Sequence, residues 1–144
     1  MIIIRNILAV IIGWFIGSIV NMSLINYGYS VFPLEGVDTN DMETLAAVMP
    51  HLDPQFFIFP FLAHALGTLV GAIIAGLIAA SHRMKFSYSI GGLFLIGGIT
   101  MAYLLPSPLW FLTIDLLIAY IPVAWLGGKI ALMIYTDKKN KMRF

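Results

Sequence analysis

The chain has 144 residues, 60% of them hydrophobic and 10% charged, with a formal net charge of +1 and a mean hydropathy of +0.96. A soluble domain carries roughly 25% charged residues, so this balance argues against a soluble fold, and a charge so near zero argues against a nucleic-acid partner. The absence of cysteine excludes disulfides, thiolate metal sites, cysteine nucleophiles and thiol redox chemistry.

The length suits a single domain, 1–144. Three stretches lack Asp, Glu, Lys and Arg: Asn6–Leu34, Pro54–His82 and Phe86–Ile114. A bilayer-spanning helix needs about 20 apolar residues. The first stretch supplies a span near Ile2–Tyr27. It is long, and Asn21-Met22-Ser23-Leu24 is a poor cleavage site, so an uncleaved signal-anchor helix is expected rather than a signal peptide. Gly13 and Gly17 fall one turn apart on it, a helix-packing pattern.

An acidic segment follows, holding Glu35, Asp38, Asp41, Glu43 and Asp53, five of the seven acidic residues. Asn40 with Glu43 three residues on fits a capping box, and Met42, Leu45, Ala46 and Met49 share one helical face. A short amphipathic helix about Asp41–Met49 is predicted within an external loop, 28–54. A calcium loop is excluded because the sixth position from Asp38 is Glu43 and not glycine. The carboxylates instead suit a helix N-terminus.

The second span lies near Gln55–Ala80. It carries Ala63, Gly67, Gly71, Ala75 and Ala79 at four-residue intervals, a stripe for close helix packing within the chain or at a homo-oligomer seam. Pro106-Ser107-Pro108 breaks the third stretch, because a residue before proline is pushed out of the helical region. It separates a span near Tyr88–Leu105 from one near Leu109–Tyr135, in which Pro122 should kink the helix and free the carbonyl of Ile118. A basic tail, 136–144, is expected to fray.

All eight Lys and Arg residues lie outside Asn6–His82: Arg5 precedes span one, Arg83 and Lys85 join spans two and three, and Lys138, Lys139, Lys141 and Arg143 follow span four. Lys129 can snorkel to the same side. Basic residues in short loops stay cytoplasmic. The expected fold class is therefore an all-α integral membrane protein, an antiparallel four-helix transmembrane bundle with a short external amphipathic helix. Both termini are cytoplasmic, and the expected location is the plasma (inner) membrane.

Asp115 is the acidic residue deep within a span, and His64 is the histidine within one. Charge at the centre of a membrane helix costs roughly 2.5–3.5 kcal/mol on insertion scales, so such residues face inward and usually mark function. At about 1.5 Å per residue, Asn21, His64, Thr100 and Asp115 share a depth of roughly 8–14 Å from the external surface. Each span contributes one, and Thr68 extends the layer by a turn. The candidate ligand- or proton-binding set is thus His64, Asp115, Asn21, Thr100 and Thr68. The helix-packing set is Gly13, Gly17, Gly67, Gly71, Ala75 and Pro122.

Two functional classes remain open. Either the layer is a proton, ion or small-solute site, or it is interhelical glue in an accessory or scaffold subunit of a larger membrane complex. An enzyme acting on a lipid-borne substrate through His64 and Asp115 is the weaker third reading. One histidine and one carboxylate fall short of a zinc site, and no cofactor or metal is expected. The chain lacks the span-one glutamate of small multidrug transporters and the cysteines of four-span quinone–thiol oxidoreductases. Partners are the bilayer and either further copies of the chain or a larger complex.

Overall fold

The structure, a computed structural model, describes residues 1–142. It is all-helical, with no strand among the described residues: α1 (Ile2–Val31), α2 (Met42–Val48), α3 (Ile58–Ile78), α4 (Arg83–Leu104), α5 (Leu109–Ile118) and α6 (Ile121–Lys141), with single 3-10 turns at Met49–His51 and Pro54–Phe57. Four stretches are long and apolar enough to cross a bilayer: Ile2–Val31, Pro54–Ile78, Arg83–Leu104 and Leu109–Lys141. Helices of this kind are compatible with a multi-pass membrane protein.

Small residues let α3 approach its neighbours. An ideal β-carbon on Gly13 would lie 2.6 Å from the carbonyl oxygen of Gly71 and 2.9 Å from Cβ of Ala75. One on Gly17 would lie 2.6 Å from the carbonyl oxygen of Gly67. Backbone meets backbone here, so only hydrogen fits at these positions. The other faces of α3 are equally tight: Gly127 of α6 packs against Ala72, and Gly76 packs against Ala131 and Ser87. Every hydrogen-bonded helix in lipid already satisfies its backbone, so close van der Waals contact is what drives such pairing. Ala72, Ala75, Ile90, Phe94, Ala119, Tyr120 and Ala124 form the buried core.

The turn after α3 is drawn tight by polar groups. Nη1 of Arg83 donates to the carbonyls of Gly76 and Leu77 at 2.7 Å each, with its guanidinium 3.7 Å from the Tyr135 ring centre. Nε of Arg5 donates to the carbonyl of Ile78 at 2.6 Å. Asn6 accepts from the Ala80 amide at 2.8 Å and donates to Ser81 at 3.1 Å. The two arginines satisfy carbonyls that a helix end leaves orphaned, and Asn6 ties down the turn itself. They also start α4 at Arg83, five residues before the Tyr88 expected from hydropathy, with His82 in the left-handed region at φ 47°.

Three further boundaries differ from expectation. The helix at the acidic segment is capped by Asp41 and not by Asn40. The Asp41 carboxylate accepts from the Glu43 amide at 3.1 Å and from the Thr44 hydroxyl, while the Asn40 amide is drawn back to Asp38 at 2.9 Å. The tail expected to fray is helical to Lys141, aided by an Asp137–Lys141 pair at 2.9 Å; Arg143 lies outside the described residues. The last span is split at residues 119–120 rather than kinked, because Pro122 has no N–H for Ile118 and its ring crowds that carbonyl. Pro122 itself is exposed. Its effect is this break, and the packing contacts expected of it are made by Ala119, Ala124 and Gly127, which are buried.

The two hydrogen bonds to Asp41 hold its carboxyl below the usual aspartate value of 3.8, the Thr44 hydroxyl contributing most. A depressed folded value means the cap strengthens α2 above that pH and is lost as pH falls through the lower, folded value. The Glu43 amide proton resonance is therefore expected to titrate with a midpoint below 3.8, and to lose that titration in Asp41→Asn.

Candidate functional site

His64 projects from the first half of α3, and Asp115 from the second half of α5. Nδ1 of His64 lies 2.9 Å from both carboxylate oxygens of Asp115. Asp115 is 4% exposed at its side chain and His64 17%. When ionised, the carboxylate is acceptor-only, and Nδ1–H is then the donor. A second donor arrives from Tyr120, whose hydroxyl bonds Oδ2 at 2.9 Å. The rings of His64 and Tyr120 lie 5.7 Å apart at 31°.

Tyr120 owes its place to the helix break. Residues five apart point to different faces of a continuous helix. The split at 119–120 gives Tyr120 φ −113° and ψ −81° and turns its ring inward. Gly98 of α4 completes the arrangement: a β-carbon there would collide with the Tyr120 hydroxyl. Gly98→Ala is expected to push the phenol off Asp115 and lower stability by about 1–3 kcal/mol, the usual cost of overpacking. A chemical-denaturation series should show that cost shrink in a Tyr120→Leu background, where the obstacle is gone.

His64 opens onto a cavity of about 370 Å³ between α1, α3, α4 and α5. With Nδ1 committed to Asp115, Nε2 has no hydrogen-bond partner among the described residues. It donates or accepts according to protonation. Asn21 of α1 lines the same cavity, as do Ser18, Tyr29, Ser107 and Tyr120. The remaining wall is apolar, including Trp14, Met22, Leu93, Met101 and Leu112.

The five residues expected to form the site divide. His64, Asp115 and Asn21 meet at the cavity. Thr100 does not: it is exposed, and its hydroxyl donates to the Ile96 carbonyl of its own helix at 2.9 Å. Thr68 is fully buried with no hydrogen-bond partner for its hydroxyl among the described residues, and it does not line the cavity. Tyr120 was not among the expected residues. Its signal was Pro122, which announces a break next to a tyrosine five residues from the buried acid. No group of three or more His, Cys, Asp or Glu residues is placed to hold a metal ion among the described residues.

No protein-family model matches the chain, and no curated protein or solved structure matches it.

Proposed function

We propose that the protein is an inner-membrane, multi-pass protein that holds a small ligand in the external half of an antiparallel four-helix transmembrane bundle. Both termini are cytoplasmic, segment 28–54 with α2 is external, and the chain is one domain. The direction is supported by the grouping of Lys and Arg in segments that would all lie on one side. The antiparallel order is supported by the pairing of Gly13 with Gly71 and of Gly28 with Phe59.

One observation carries the ligand reading. A histidine fixed through Nδ1 by a buried carboxylate faces a cavity of about 370 Å³, within the range of roughly 300–1,000 Å³ typical of ligand pockets. A purely structural histidine needs no empty space beside it. His64 would bind through Nε2, Asp115 and Tyr120 would orient the ring, and Asn21 would offer a second polar contact. Phe94 packs against Gly17 and lines the cavity, and the polar lining groups Asn21, His64 and Asp115 would all sit in the external half, so the reading is a pocket and not a channel.

A second reading has its own support. His64, Asp115 and Tyr120 already satisfy one another, as glue in an accessory subunit of a larger complex would. Native mass spectrometry of the protein gently extracted from its own membranes separates the two. A small bound mass that is lost in Gly97→Trp, which would fill the cavity, supports the ligand site. A second protein at fixed stoichiometry with no small mass supports the subunit.

A further inference from the structure

Building on the ligand reading, we infer the class of ligand. It is a membrane-dissolved amphiphile with a compact, neutral head bearing a hydroxyl or carbonyl, and it enters sideways between α1 and α4 on the half of the molecule nearer α2. Three features of the cavity lead there.

The first is where the cavity opens. α1 and α4 touch at Gly17 and Phe94, where a β-carbon on Gly17 would lie 3.1 Å from the ring. On the α2 side of that contact they frame the cavity through Met22 on α1 and Gly97 and Met101 on α4, and Trp14 and Leu93 line it on the other side. Met22 is 58% exposed and Met101 38% exposed, while a β-carbon on Gly97 would meet nothing within 4 Å. These residues lie within the apolar stretches suited to the bilayer core, so the opening between them gives onto acyl chains. At the α2 end, Met49 of the 3-10 turn and Tyr29 of α1 lie over the cavity.

The second feature is the arrangement of polarity. Long apolar side chains make most of the wall, and the strongest polar groups, His64, Asp115 and Tyr120, are gathered where α3, α5 and α6 meet. That division of apolar tail space from a hydrogen-bonding terminus is how pockets orient an amphiphile.

The third feature selects the head. No Lys or Arg lines the cavity, so an anionic head would find no fixed cation in a low-dielectric site. The Asp115 carboxylate is already engaged by two donors, so a cationic head would have to displace one of them. A hydroxyl or carbonyl needs only what is open: Nε2 of His64, an acceptor for a hydroxyl while Nδ1 carries the proton, and the Asn21 amide, which offers both a donor and an acceptor.

The test uses the full chain in lipid nanodiscs with three matched photoreactive probes: a diazirine-bearing dodecanol, the corresponding dodecane, and the corresponding trimethylammonium. The alcohol is expected to label peptides of α1 around Met22 and of α4 around Met101, on the order of tenfold more than the alkane or the ammonium, the worth of one hydrogen bond to a polar or charged group. Gly97→Trp, whose β-carbon would meet nothing within 4 Å, should remove that labelling. His64→Phe should bring the alcohol down to the level of the alkane. Equal labelling by all three probes would overturn recognition of the head, and strongest labelling by the ammonium would overturn its neutrality. A water-soluble native mass, present in wild type and absent in Gly97→Trp, would overturn the amphiphile while leaving the ligand pocket standing. No bound mass, with labelling indifferent to Gly97→Trp, would overturn both.

Discussion

Asp115→Ala is expected to lower stability by about 3–5 kcal/mol, the range found when one partner of a buried pair is removed. The carboxylate is the single acceptor for two buried donors, Nδ1 of His64 and the hydroxyl of Tyr120, each at 2.9 Å. The alanine would leave both without that partner. Asp115→Asn should be milder. Its amide oxygen can accept from one donor, while its NH₂ opposes the other, so a loss of about 1–3 kcal/mol is expected, the cost of one unmet buried group. Unfolding by SDS titration in mixed micelles gives both values. A loss below about 1 kcal/mol for Asp115→Ala would mean that the three side chains contribute little to holding α3, α5 and α6 together.

The other large effect lies on the glycine seam. Gly67→Leu is expected to cost more than about 3 kcal/mol, beyond the usual overpacking penalty. A β-carbon on Gly67 would lie 2.9 Å from the Gly17 carbonyl oxygen and 3.0 Å from Cβ of Asn21. The obstacle is backbone, which cannot swing aside as a flexible side chain does. To make room α1 would have to move off α3, and Asn21 would leave the cavity with it. Gly92 is the contrasting case, because a β-carbon there would meet nothing within 4 Å. Gly92→Ala should be neutral or stabilise by up to about 1 kcal/mol through helix propensity alone. Opposite signs at two glycines in apolar helices would locate the seam; equal effects would deny it.

The spans were legible because long charge-free runs have few alternatives in a chain this apolar. The small-residue stripe was legible too, since glycine and alanine at four-residue spacing, as in Gly67, Gly71 and Ala75, have little other use within a membrane helix, but the sequence left open whether it met another helix of the chain or a second copy. Depth could be counted along each span, and His64, Asp115 and Asn21 do meet. Rotation about the helix axis could not be counted. Thr100 lies at a suitable depth yet faces outward, its hydroxyl satisfied by Ile96 of its own helix, a local bond that competes with interhelical ones. Tyr120 stayed hidden for the converse reason: only the helix break beside Pro122 brings it round to Asp115. Arg83 reads in sequence as a cytoplasmic marker, and its bonds to Gly76 and Leu77 depend on a tight turn that hydropathy does not describe. The Asn40–Glu43 capping signal lost to Asp41 because Asp38 engages the Asn40 amide first.

The most direct test concerns the two faces of one ring. Nitrogen-15 NMR of the histidines, with the protein in bilayers, reports both nitrogens of His64 once His51 and His82 are replaced by glutamine. The account predicts a protonated, hydrogen-bonded Nδ1 whose resonance moves in Asp115→Asn, and an Nε2 whose resonance moves when Gly97→Trp fills the cavity. An Nε2 indifferent to Gly97→Trp would contradict it, because His64 would then face packed protein and not an open pocket.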